Sequence, residues 1–170
     1  MREIAIVLCT WLHLMVIVIW LGHMANALLL FGPLSTKYVS QTRYGDFIAE
    51  YRSRDAPVAI GCIAVFVITG LILTLLDEQY TGFGNIFANN WSTVLFIKHV
   101  FVLAMIGLGI YQGSRVMPGL GEAWKKLADE NRPDVIASVT RLEKKRKVIT
   151  QTLCSLAVAV LLLTAIGGVL

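Results

Sequence analysis

The sequence predicts an all-α integral membrane protein, a four-helix bundle whose helices run up-down-up-down. Two bulk properties indicate this class, because hydrophobic residues make up 56% of the 170-residue chain and its mean hydropathy is +0.71. The third observation is that the apolar residues form four long blocks with almost no charge. Each block reaches the ~20 residues that a helix needs to cross ~30 Å of hydrocarbon. The blocks are residues 4–32, 57–76, 91–112 and 148–170.

The first two blocks are expected to be membrane spans joined by a short cytoplasmic segment. Block 4–32 is too long for the apolar region of a signal peptide, and it ends in the bulky run Leu28-Leu29-Leu30-Phe31. Segment 35–52 mixes aromatic, apolar and charged residues, which suits a helix lying at the inner membrane interface. Pro57 fits the first turn of the second span, where its missing N–H costs nothing.

The last two blocks are separated by a longer polar loop. A turn is expected at 82–85, and Trp91 is expected to anchor the start of the third span at the interface. In the polar segment between the third and fourth spans, the sequence predicts a short helix from about Gly121 to Glu130. A long helix should then begin at Pro133 and run unbroken into the membrane. Short connections between successive spans favour a single bundle over residues 1–170.

The distribution of positive charge predicts the orientation. The 33–56 loop has four Lys/Arg and the 113–147 loop has nine, whereas segment 77–90 has none. The positive-inside rule places both basic loops in the cytoplasm and both termini outside, in a plasma membrane. The basic residues are expected to orient the chain and contact anionic lipid, and not to bind nucleic acid.

Two histidines lie at a similar depth on different spans. With each block centred on the bilayer, His13 falls ~8 Å to the outer side of the midplane and His99 ~3–4 Å to the same side. His23 falls ~8 Å to the inner side, about 11–12 Å from His99 along the membrane normal. Only His13 and His99 can therefore share one metal, provided that the first and third spans face each other.

A pair of facing histidines in a four-helix membrane bundle suits haem b, with His13 and His99 as axial ligands of the iron. Lys98, which is costly in hydrocarbon unless paired, would bind a haem propionate. Gly22, Ala25, Gly70, Gly107 and Gly109 would leave room for the macrocycle. The alternative is structural: histidines can hydrogen-bond across a bundle, and lysine can extend towards the membrane surface.

A second set of residues suits copper. Cys62 and Cys154 lie ~7 Å below the midplane, in the same layer as His23, and Met24 and Met105 are close in depth. Thiolate, thioether and imidazole ligands together favour Cu(I). Cysteine is also a common buried hydrophobe, and no C-x-x-C or M-x-x-M spacing is present. The alternative copper site consists of His23, Met24, Cys62 and Cys154.

Three stretches resemble the copper resistance D (CopD) family of membrane domains. They are W-L-H-L…W-L-G in the first span, the Trp-led third span WSTVLFIKHVFVLAMIGLGIYQ, and a basic lead-in to a last span ending L-L-L-T-A. This resemblance implies copper handling. His13, Trp20 and Lys98 are also similar to positions of the HemJ-type protoporphyrinogen oxidases, which implies haem. The chain lacks the F-A-G and the arginine-bearing helix end of that family.

The sequence is therefore interpreted as a haem b protein that transfers electrons between an outer-face partner and the quinone pool or a membrane complex. Copper transport and a structural role in a larger complex are the alternatives. The absence of a P-loop, a catalytic triad or a nucleotide fold favours an electron carrier or complex subunit over a stand-alone enzyme. Protoporphyrinogen oxidation is a further alternative, and the oligomeric state stays open.

Overall fold

The computed structural model describes residues 2–77, 82, 87 and 89–167, which form six α-helices and contain no strand. Most of the predicted turn at 82–85 lies outside the described residues. Five-residue π-helical segments follow the first and fourth helices, at Ala27–Phe31 and Gln112–Val116. The helices are α1 (Arg2–Asn26), α2 (Gly32–Tyr38), α3 (Gln41–Leu76), α4 (Asn90–Tyr111), α5 (Met117–Asp129) and α6 (Pro133–Gly167).

The long helices form two antiparallel pairs. Helix α1 packs on α3, so that Arg2 donates a hydrogen bond to the Leu76 carbonyl oxygen at 2.9 Å while His23 approaches Asp55 near the other end. Helix α4 packs on α6, with Gln112 beside Thr150. The directions alternate along the chain, which confirms the predicted all-α, up-down-up-down four-helix bundle.

The four long helices expose most of their apolar side chains. All four are long and apolar enough to cross a membrane, and only a small share of each apolar stretch is buried inside the protein. Exposed leucine, isoleucine and valine side chains would be unfavourable in water but are compatible with lipid, and a helix satisfies its own backbone groups there. The chain is therefore a multi-pass membrane protein in contact with the lipid bilayer. Helix α6 is the most enclosed of the four.

Segments 33–56 and 113–147 lie at one end of the bundle, which we name the basic end. An apolar core separate from the membrane spans lies at this end. The first half of α3, helix α5 and the first half of α6 pack together at this end. We refer to these three parts as the basic-end subdomain. Its buried residues form two clusters, Tyr44, Ile48, Met117 and Leu120 in one, and Ala123, Leu127 and Val139 in the other.

This packing corrects the prediction for residues 35–57. Helix α3 begins at Gln41 and continues through Pro57 to Leu76, so the helix that carries the second span does not start at the proline. The apolar residues Tyr44 and Ile48 are buried against α5 and not against an interface. Their one-turn spacing reflects contact with protein, which a search for membrane spans does not distinguish from contact with lipid.

Helices α3 and α5 approach each other closely at two glycines. A Cβ atom added at Gly45 would lie 2.9 Å from the Gly121 carbonyl oxygen and 3.1 Å from the Lys125 backbone nitrogen. Such distances are shorter than van der Waals contact, so the crossing requires the absence of a side chain at Gly45. Gly45 therefore sets the distance between the helices, whereas a Cβ at Gly121 would make ordinary contacts at 3.6 Å.

Candidate functional site

Three sulfur-containing side chains from three helices meet in one apolar cluster of the bundle. Met24 of α1 and Met105 of α4 are buried, with 5% and 2% of their surface exposed, and half-buried Cys154 of α6 packs against the same cluster. We name Met24, Met105 and Cys154 the sulfur cluster. Thioether and thiol groups are soft ligands, and their surroundings here are otherwise hydrocarbon.

Polar groups lie next to the sulfur cluster on the side of the basic end. Thr150, one helical turn before Cys154, donates to the Arg146 carbonyl oxygen at 3.0 Å and accepts a 3.2 Å hydrogen bond from Gln112 Nε2. Gln112 Oε1 is buried and has no hydrogen-bond partner in the part of the chain that the structure describes. Gln112 also begins the π-helical segment that follows α4. Such segments often occur at functional positions of helices.

His23 precedes Met24 in the sequence but faces α3. Its Nε2 lies 3.1 Å from Asp55 Oδ1, and both side chains are partly exposed. Cys62 is half-buried on α3 and is not a member of the apolar cluster that contains the sulfurs. Of the four residues predicted as an alternative copper site, Met24 and Cys154 thus belong to one apolar cluster. His23 and Cys62 as ligands stay predictions.

His13 also packs against α3. Its Nδ1 lies 2.8 Å from Thr69 Oγ1, and its ring stacks on Phe66 with the centroids 4.4 Å apart. His99 is on α4, where Nδ1 donates to the Leu95 carbonyl oxygen at 2.7 Å. The first bond joins α1 to α3, whereas the second lies within α4.

Lys98 lies near the opposite end of the bundle from the basic end. It is half-buried and lies within electrostatic range of His13 and of Asp77. An acidic neighbour supplies charge compensation inside a largely apolar region. The structure therefore provides Lys98 with a carboxylate from the protein itself.

The arrangement of the helices does not support the predicted haem cage. That cage requires α1 and α4 to face each other, but α1 packs mainly on α3 and α4 on α6. Gly22 and Gly107 are exposed and Gly109 is half-buried, and none of the three has an atom within 4 Å of an added Cβ. The space at Gly70 is taken by the His13 ring.

A metal site at the sulfur cluster would have two methionine thioethers and one cysteine thiol as ligands. Among the described residues, no three His, Cys, Asp or Glu side chains converge in a way that would hold a metal ion. Methionine donors extend the possible ligand set to the sulfur cluster. The sequence indicates Met24, Met105 and Cys154 by their similar depth, whereas the proximity of Gln112 and Thr150 follows from the fold.

The fold and the cluster define a multi-pass four-helix membrane protein with a sulfur-lined core. The family model described as "CopD: Copper resistance protein D" matches residues 53–169, from within α3 to α6, and the chain belongs to this family. No curated protein and no solved structure matches the chain. The matched region includes Met105 and Cys154, whereas α1 with Met24 lies before it.

Family membership corrects the functional prediction. The interpretation as a haem b electron carrier is wrong, because the chain belongs to a copper resistance family and its helix pairs separate the two proposed axial histidines. Nothing supports the predicted quinone or redox-complex partner, and the HemJ resemblance finds no support. The alternative, copper handling, agrees with the family. The prediction that His13, His99 and Lys98 are site residues is not tested by the family match.

Proposed function

We propose that the chain binds copper(I) inside the membrane and carries it from one membrane face to the other. The observation that supports this function is the sulfur cluster, in which Met24, Met105 and Cys154 from three helices share one buried apolar environment. Soft thioether and thiolate ligands favour Cu(I) over divalent ions, which prefer nitrogen and oxygen. The copper resistance D family agrees with this substrate.

The polar groups beside the cluster support a direction for release. The unpaired Gln112 amide oxygen and the Thr150 hydroxyl lie between the sulfur cluster and the basic end. A cation leaving the sulfurs towards that end would meet oxygen groups before it reaches water. We place this end in the cytoplasm, with both termini outside and the chain in a plasma membrane. The concentration of Lys/Arg in segments 33–56 and 113–147 supports this orientation.

A copper(I) titration of the purified protein in detergent tests the assignment. Competition with a chromophoric Cu(I) chelator should show stoichiometric binding by the wild-type protein. Met105→Leu and Cys154→Ser should each weaken this binding at least tenfold, because each removes one sulfur donor. Met15→Leu is the matched control, since it makes the same substitution at a methionine that is 41% exposed. Unchanged copper binding in a Met105→Leu/Cys154→Ser double variant would show that the sulfur cluster does not hold the ion.

Transport is measured separately in proteoliposomes. Copper(I) supplied on one side should accumulate inside vesicles that contain wild-type protein, and accumulation should fall with Cys154→Ser. The Met15→Leu variant should transport copper as the wild type does. Tight binding without accumulation would restrict the function to copper storage or delivery within the membrane.

A further inference from the structure

A second pair of metal-ligand side chains lies on α1, nearer the start of the helix than the sulfur cluster. Cys9 and His13 are four residues apart, a spacing that places two side chains on the same helix face. Both are half-buried, whereas Leu8 and Leu12 beside them are 56% and 41% exposed. Because His13 contacts Thr69, the face that carries Cys9 and His13 is turned towards α3.

The hydrogen bonds around His13 identify which ring nitrogen can bind a metal. The Thr69 hydroxyl donates to the Val65 carbonyl oxygen at 2.7 Å, so its oxygen remains as an acceptor. His13 Nδ1, at 2.8 Å, is therefore the donor to Thr69. Nε2 then carries the lone pair, as required for a neutral imidazole ligand. Histidines that bind metals are commonly fixed by a hydrogen bond from their second nitrogen.

The His13 ring is also held in place by packing. It stacks on Phe66 with an interplanar angle of 23°. On another side, an added Cβ at Gly70 would come within 3.3 Å of His13 Cε1, so the backbone of α3 approaches the ring closely. An imidazole restrained by a hydrogen bond, a stacked ring and a glycine has little freedom to lose when it binds an ion.

The nearby charges favour a monovalent ion bound together with a thiolate. Lys98 lies within electrostatic range of His13, and Asp77 offsets part of its charge. The remaining positive charge would repel a cation held by neutral imidazole alone. A copper(I) ion combined with one thiolate has no net charge, so this repulsion is largely removed. Cys9 is the cysteine that shares the helix face of His13.

We propose that Cys9 Sγ and His13 Nε2 form an outer copper(I) site that receives the ion before it reaches the sulfur cluster. This inference rests on the proposed function and extends it to the site of loading. On binding, the Cys9 S–H bond breaks, a Cu–S bond forms and the proton passes to water. Nε2 donates its lone pair to the same ion. No electron is transferred, and copper remains Cu(I) throughout.

The number of copper ions per chain provides the test. Purified wild-type protein titrated with Cu(I) under reducing conditions should bind two ions. Cys9→Ser and His13→Ala should each bind one, and so should Cys154→Ser, because it removes the other site. Cys9→Ser/Cys154→Ser should bind none. Cys62→Ser is the matched control, since Cys62 is equally half-buried, and it should still bind two ions.

The outcomes separate this inference from the proposed function. A wild-type protein that binds one ion, and keeps it in Cys9→Ser, overturns the outer site and leaves the sulfur cluster intact. Loss of copper in Cys9→Ser without any loss in Cys154→Ser overturns the sulfur cluster and supports the outer site. X-ray absorption on copper-loaded Cys154→Ser should show one sulfur and one nitrogen neighbour, and His13→Ala should remove the nitrogen.

A milder variant tests the orientation of His13 without removing a ligand. Thr69→Val deletes the acceptor of Nδ1–H, and the copper(I) affinity of the outer site should fall about 10–100-fold. Thr164→Val is the control, because Thr164 makes the same hydrogen bond to a carbonyl oxygen four residues earlier, that of Val160. Equal affinities in the Thr69→Val and Thr164→Val variants would contradict the proposed role of His13 Nε2.

Discussion

At the scale of single residues, Gly45 determines whether α5 can pack on α3. Gly45→Ala places a Cβ atom 2.9 Å from the Gly121 carbonyl oxygen, so the helices must separate or shift. We expect the free energy of unfolding to fall by about 1–3 kcal/mol, as for overpacking in a core. Thermal unfolding in detergent, followed by helical circular dichroism, measures this change.

Gly61 is the matched control on the same helix. An added Cβ at Gly61 meets no atom within 4 Å. Gly61→Ala should therefore leave stability unchanged or raise it by about 0.5–1 kcal/mol, because alanine is the better helix former. Equal destabilisation by the two substitutions would show that the helix crossing does not depend on Gly45.

Gln112 and Thr150 should respond to substitution with opposite signs. Gln112→Leu replaces a buried amide whose oxygen lacks a partner, and we expect stability to be unchanged or to rise by about 1 kcal/mol. Thr150→Val leaves Gln112 Nε2 without its acceptor, and stability should fall by about 1–3 kcal/mol. Unfolding midpoints in detergent compare the two, and a decrease in both would indicate that Gln112 Oε1 has a partner.

At the scale of helices, α5 holds the basic-end subdomain together through a single apolar face. Leu120 is 1% exposed and packs in the cluster of Tyr44, Ile48 and Met117. Leu120→Ala should destabilise the protein by about 2–5 kcal/mol, the usual cost of removing a buried leucine side chain. Leu75→Ala should change stability little, since Leu75 is 60% exposed on α3. Limited proteolysis between α5 and α6 gives a second measurement of the same loss.

The start of a helix was predictable where a proline prevents the preceding helix from continuing. Asn131-Arg132-Pro133 ends one helix and allows Pro133 to begin the next, and α6 starts at Pro133 as predicted. The start of α3 was not predictable from Pro57, because an earlier helix with a protein-facing apolar side continues through that position. Hydropathy identifies residues that can enter lipid, and it gives no information on packing between helices outside the membrane.

The candidate site was predictable only in part, because the sequence does not show which helices pack against each other. Depth along each helix is predicted from the sequence, and similar depths are predicted for Met24, Met105 and Cys154, which share one apolar cluster in the fold. Which helices are neighbours does not follow from depth. His13 and His99 lie at similar depth but on helices whose principal partners differ. The haem hypothesis failed at this step.

At the scale of the whole molecule, both basic segments lie at one end of the bundle. In a protein whose three cysteines are replaced by alanine, Phe87→Cys should react with an impermeant thiol reagent added outside intact cells. Asp129→Cys in the same background should react only after the membrane is opened. Phe87 is 74% exposed and Asp129 is also exposed, so access differs only by the side of the membrane. The reverse labelling pattern would invert the proposed orientation.

Helix α6 belongs both to the membrane bundle and to the basic-end subdomain, and so connects the two directly. Its 35 residues form a rod of about 52 Å, which exceeds the ~30 Å hydrocarbon thickness and extends into the basic-end subdomain. Glu143 and Arg146, paired at 2.8 Å in its first half, are joined to Cys154 by uninterrupted helix. Because no helix break separates them, a rotation of the basic-end subdomain about the axis of α6 would also rotate Cys154 within the bundle.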